Sequence, residues 1–111
     1  MSLRQDKINE LLRELSAEFL ERESNQTSLI TVTRASISPD LKRATVFITV
    51  LPESKEDFAL DFAKRKRKEL REYIRDRSKF RILPFLDVDL DRSEKALQKL
   101  RTLEQGGNPL D

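Results

Sequence analysis

The sequence predicts an α+β domain of two layers, a three-stranded sheet covered on one face by helices. Three observations carry this reading. Residues 3–22 repeat apolar side chains at steps of three and four. Residues 29–50 hold two β-branched runs on either side of Pro39–Asp40. Residues 56–90 return to helical spacing and end in an alternating run. The order is α-β-β-α-β, followed by a short helical appendage.

In the first helix, Leu3, Ile8, Leu11, Leu12, Leu15, Phe19 and Leu20 form one apolar stripe. Polar ERESNQTS ends it, and Asn25 suits a closing turn. The strands LITVTRASIS (29–38) and LKRATVFITV (41–50) follow. In the second strand Ala44, Val46, Ile48 and Val50 share the face that meets the core, and Phe47 has the opposite parity. The first strand changes parity between Ile30/Val32 and Ala35/Ile37, and a bulge near Thr33–Arg34 reconciles its halves.

A second helix is predicted from about Glu56 to Arg77, with Ser54 and Asp57 as capping candidates. FRILPFLDVDL (80–90) reads as the third strand, placed at an edge or bulged early by Pro84. A last helix from Ser93, its N-cap, to Glu104 aligns Ala96, Leu97, Leu100 and Leu103. The domain is expected to span residues 1–105, with 106–111 (GGNPLD) a disordered tail.

The 111 residues allow one domain with one modest core, 37% of them apolar and 38% charged. Without Cys or His there are no disulfides, thiolate or imidazole metal sites, or near-neutral imidazole acid–base chemistry. No apolar run approaches the roughly 20 residues that span a bilayer, and no signal-peptide pattern opens the chain. The expectation is a cytoplasmic monomer with no cofactor and no membrane association. Net charge is +2, yet Lys64 to Arg81 holds ten Lys or Arg against three Asp or Glu. One face is therefore suited to a polyanion.

Within that segment, Lys64, Arg65, Lys66, Arg67 and Lys68 are consecutive. At about 100° per residue, Ala59, Phe62, Ala63, Leu70, Tyr73 and Ile74 gather into an apolar arc. Lys64, Lys68, Arg71 and Arg75 form a ridge on the other side, either a phosphate-binding surface or a solvated face. Arg65 lies on a mixed stripe and Arg67 at a boundary, while Lys66 points into the apolar arc. There it either snorkels or marks a kink. The aromatics Phe47, Phe58, Phe62, Tyr73, Phe80 and Phe85 read as core rather than stacking platforms, although the parity of Phe47 sets it opposite Val46 and Ile48.

The chain resembles the ribosome-binding factor A family of bacterial ribosome-assembly factors over about residues 4–103. Ser38, Asp40, Leu41, Ala44 and Val46 fit its S-x-D-L-x-x-A-x-V pattern. Leu70 and Arg71 fit its helix, and Arg81, Pro84, Leu86 and Asp91 fit its R-x-x-P-x-L run ending in Asp. The resemblance implies a type II KH-like domain, a three-stranded sheet packed on helices in the order α-β-β-α-kink-α-β. Members lack a GXXG loop and interrupt the helix at Ala-x-Gly; counting back from Pro84, that site is Lys66-Arg67-Lys68, with Lys in place of both Ala and Gly. It also implies binding to the free or immature 30S small ribosomal subunit, assistance in small-subunit rRNA maturation including the 5′ region, growth in the cold, and no enzymatic activity. The expected RNA-binding residues are Lys64, Arg65, Lys66, Arg67, Lys68, Arg71 and Arg75, with Lys42 and Arg43 either extending the surface or protecting the hairpin from edge pairing.

Other readings of the residues stay open. Asp87, Asp89 and Asp91 alternate and so share one strand face. That face is a solvated surface, a Mg²⁺ site for nuclease chemistry, or a docking surface for a ribosomal protein or an assembly GTPase without direct RNA recognition. KRKRK also matches a nuclear-localisation patch, although a packed helix presents it poorly.

Overall fold

The computed structural model describes residues 3–22, 28–93, 97–98 and 101. Helix α1 (Leu3–Arg22) packs its stripe on strand β1 (Leu29–Ile37), burying Leu12, Leu15, Phe19 and Leu20. Leu3 departs from the prediction. It is 70% exposed, because the first turn of α1 borders an open groove instead of the sheet. Ser16 is fully buried in α1, and among the described residues its hydroxyl has no hydrogen-bond partner.

Strand β1 pairs antiparallel with β2 (Arg43–Leu51), and the register shifts between Val32 and Arg34. This bulge lets Ile30 and Val32 share the buried face with Ala35 and Ile37 despite their opposite parity. The intervening turn is longer than predicted, so β2 starts at Arg43. Ser38 Oγ donates to Asp40 Oδ1 (2.6 Å), which also accepts the Lys42 N–H (3.0 Å). The Arg43 N–H donates to Ser38 Oγ at 3.1 Å. Leu41 takes a positive φ of 62°, an unusual conformation for a branched residue, with its side chain packed against the core. The turn's own hydrogen bonds hold it there, which gives Ser38, Asp40 and Leu41 a structural role.

A single 3₁₀ turn (Glu53–Lys55) leads into α2 (Glu56–Arg65), and α3 (Arg67–Arg77) follows after one residue. Neither Ser54 nor Asp57 caps α2. The Lys55 and Glu56 N–H groups donate instead to the Pro52 and Glu53 carbonyls, so backbone replaces the expected side-chain cap. Strand β3 is Phe85–Leu90, shorter than the predicted 80–90, and runs parallel to β2 in the order β1-β2-β3. Pro84 has no N–H to give the ladder; the first donor is Phe85, whose N–H meets the Lys42 carbonyl at 2.8 Å.

Helix α1 covers β1, α2 covers β3 and β2, and α3 leans on α1. The Tyr73 ring lies 5.4 Å from Phe19, and its hydroxyl donates to Glu18 at 2.9 Å. One buried cluster joins these helices to Val46, Ile48, Leu86 and Val88 of the sheet. The opposite sheet face is left uncovered by helices α1 to α3. The turn predicted at Asn25, most of the helix predicted at Ser93–Glu104 and the tail lie outside the described residues. Leu97 and Gln98 are helical, and the Leu97 N–H reaches the Ser93 carbonyl at 3.0 Å.

Candidate nucleic-acid interface

The long helix predicted from Glu56 to Arg77 is two helices, and the break is at Lys66. Its φ of −93° and ψ of 7° lie in the bridge region, which any L-residue can occupy, so no glycine is required. The break also strands little backbone. The Lys66 N–H is shared by the Phe62 and Ala63 carbonyls (both 3.1 Å), and its own carbonyl accepts the Leu70 N–H at 2.8 Å. Arg67 Nε donates to the Lys64 carbonyl at the end of α2 (3.2 Å). The Lys66 ammonium sits 5.7 Å from the Phe62 ring centroid. Of the alternatives posed by the sequence, the helix is interrupted at Lys66, and the half-buried side chain lies with its ammonium over the Phe62 ring.

Cations from both sides of the break share one groove. Lys64 and Arg65 at the end of α2 and Arg67, Lys68 and Arg71 in the first turns of α3 line one groove of about 580 Å³ with Phe85 and Leu86. An adjoining hollow shares Lys64, Arg65 and Arg67 and adds Phe58 and Asp61. Arg71 is steadied by a 3.3 Å hydrogen bond from Nη2 to the Leu83 carbonyl. Of the nine expected site residues, Lys42, Arg43, Lys66 and Arg75 do not line the groove. Lys42 and Arg43 belong to the hairpin, Lys66 is turned toward Phe62, and Arg75 lies a turn further along α3.

Phe85 corrects the expectation that the aromatics are core. It is 57% exposed, and Phe58 is 64% exposed. The signal for Phe85 was its parity, opposite to buried Leu86, Val88 and Leu90. The Arg67 guanidinium lies 5.6 Å from the Phe85 ring and 3.3 Å from Asp87 Oδ1. Arg43 is the register partner of Phe85 in the β2–β3 ladder, so both project from the same sheet face. Lys42 holds the Phe85 amide through its carbonyl. The hairpin cations thus stand beside the groove through strand pairing.

The three aspartates do not form one solvated face. Asp87 is engaged by Arg67, Asp89 is exposed, and Asp91 is buried beyond the end of β3. Asp91 accepts Thr33 Oγ1 at 2.6 Å and the Ser93 N–H at 2.9 Å, and lies 3.4 Å from Arg34 Nε. Burial pushes its carboxyl up, but these hydrogen bonds and the Arg34 charge outweigh burial and hold it below the usual carboxylate range. Arg34 in turn stacks 3.8 Å from the Phe47 ring centroid, which occupies that aromatic on the outer face. Among the described residues no three potential metal ligands cluster.

Five cations around an exposed ring can bind phosphates and stack an unpaired base in one place. Phosphate contacts supply affinity that falls with salt, and stacking contributes about 1–3 kcal/mol per base.

The comparisons with known proteins agree with this architecture. The family model described as ribosome-binding factor A matches residues 4–104. Ribosome-binding factor A of Opitutus terrae is 33% identical over 108 residues, covering 95% of this chain and 88% of its own length. That of Thermomicrobium roseum is 35% identical over 108 residues, covering 94% and 84%. The crystal structure of ribosome-binding factor A from Thermus thermophilus superposes with a TM-score of 0.70 at 23% identity, over 80% of this chain and 98% of that one. A homology model of the Thermus thermophilus protein, fitted into a cryo-EM map of its complex with the 30S subunit, gives 0.65 at 25% identity, over 75% and 90%. The α+β fold is therefore shared, and the chain belongs to the ribosome-binding factor A family.

Proposed function

We propose that this chain is a cytoplasmic, monomeric ribosome-assembly factor that binds the free or immature 30S subunit and assists maturation of small-subunit rRNA. It acts by binding, without enzymatic chemistry. The observation that carries this reading is the convergence of Lys64, Arg65, Arg67, Lys68 and Arg71 on exposed Phe85. Membership of a ribosome-binding family supports it, as does the relative fitted into a 30S complex. The groove takes backbone phosphates along α2 and α3, Phe85 stacks an unpaired base, and Lys42 and Arg43 extend the contact.

Gradient sedimentation against free small subunits, assembled ribosomes and naked rRNA tests this. Co-migration with free subunits is expected, weakening with salt by a log–log slope of roughly −3.5 to −4.5 for five phosphate contacts. Binding indifferent to salt and to RNase would contradict RNA recognition.

A further inference from the structure

A second surface is separate from the cationic groove in both place and chemistry. Beside the first turns of α1, the loop after α3 leaves a groove of about 550 Å³ whose floor is Ile8, Leu11 and Phe80. It continues over Ile37, Leu41 and Pro84 toward the hairpin turn. Two aliphatic side chains stand at its edges, Leu3 at 70% and Ile82 at 86% exposure. Its rim is cationic: Arg4 and Lys7 on α1, Lys79 and Arg81 on the loop. Among the described residues no carboxylate lines it and none of these four cations has an ion-pair partner.

Exposed aliphatic side chains cost solvation, and a concave apolar floor with a charged rim is the form taken by grooves that accept amphipathic helices. We propose that this groove docks an acidic amphipathic helix of a partner protein, its aliphatic ridge on Ile8, Leu11, Phe80 and Ile82 and its carboxylates on the four rim cations. The span from Leu3 to Leu11 is about 12 Å along α1, room for about two turns of a partner helix anchored at i, i+3 or i+4, and i+7. RNA is a poorer occupant, since the exposed side chains, Leu3 and Ile82, are aliphatic and the one ring, Phe80, is partly buried against the core. A lipid surface is also poorer, since it is flat and the site is concave. Helix and RNA can be held together: Lys79–Pro84 borders this groove on one side, and the Leu83 carbonyl holds Arg71 of the cationic groove on the other.

The test is an NMR titration of the ¹⁵N-labelled full chain with a synthetic amphipathic peptide of about four helical turns, leucines on one face and glutamates beside them. Amide shifts confined to residues 3–11 and 79–82 are expected. Ile82→Glu should weaken binding about tenfold or more, by placing a carboxylate on the apolar contact. Because Ile82 is exposed, the variant's own spectrum should report an intact fold. Arg4→Glu with Lys79→Glu should lose the acidic peptide and gain its lysine counterpart, a swap that general hydrophobic adhesion would not produce. The proposal is overturned if the acidic peptide leaves these amides unmoved, or if its shifts fall only around Phe85. It is equally overturned if a single-stranded RNA oligonucleotide or anionic vesicles move these amides and the peptide does not. None of these outcomes depends on whether the cationic groove binds rRNA.

Discussion

The Arg67 guanidinium stands 5.6 Å from the centroid of the Phe85 ring, across the gap between the α2–α3 break and the first residue of β3. This contact joins the two segments that build the cationic groove and leaves most of the ring open to solvent. Phe85→Ala should therefore cost RNA affinity, by about 1–3 kcal/mol for one lost base stack, with little change in stability. Filter binding to a single-stranded rRNA fragment measures it. Phe85→Leu should fail to restore affinity and Phe85→Tyr should succeed, whereas a contact needing only apolar area would accept leucine.

Lys66 breaks the helix at a negative φ, so its β-carbon is tolerated and glycine would only add freedom to the unfolded chain. Lys66→Gly should lower stability by about 0.5–1 kcal/mol in urea unfolding. A gain in stability would mean that the break prefers a left-handed residue.

Thr33, displaced by the bulge of β1, donates to Asp91 after β3, so one hydrogen bond ties the two edges of the sheet together. The Asp91 carboxyl is held low in the folded state, so its contribution should be present above the ordinary carboxylate range near pH ~4 and be lost as pH falls through the folded value below it. Asp91→Asn should cost about 1–3 kcal/mol at neutral pH and remove that part of the acid dependence. Urea unfolding between neutral and acidic pH measures both. Parallel curves for the variant and the parent across this range would show that Asp91 does not carry the acid dependence.

Ser16, in the middle of α1, is a fully buried hydroxyl with no partner among the described residues. Ser16→Ala should raise stability by about 1 kcal/mol, relieving an unsatisfied polar group at a site where alanine also favours helix. A loss of stability would point to a hydrogen bond that the static structure does not contain.

Much of the fold was legible because burial imposes period. The stripe on α1, the even-numbered core face of β2 and the parity change in β1 each followed from side chains seeking one face. Legibility failed where hydrogen bonding overrides period. The start of β2 was misplaced because Ser38 and Asp40 hold the turn through Lys42. The cap of α2 was misassigned because a 3₁₀ turn supplied backbone carbonyls. Asp91 alternates with Asp87 and Asp89 in sequence, yet its partners Thr33 and Arg34 come from the far edge of the sheet, which no local pattern reveals. The candidate site divides the same way. KRKRK marked the region, but a wheel drawn through an unbroken helix placed Arg75 with Lys64 and could not show that Phe85 lies among the cations.

The central claim is that the groove at the helix break binds the small subunit. Co-sedimentation of Lys64→Glu/Lys68→Glu/Arg71→Glu with free 30S subunits, beside Arg75→Glu and the parent chain, tests it most directly. Retained helix content and a cooperative melt should first establish that each variant folds. The groove variant should stay at the top of the gradient, while Arg75→Glu, altered outside the groove, should still migrate with the subunits. A folded groove variant that co-sediments like the parent, or an Arg75→Glu variant that loses binding to the same extent, would contradict the account.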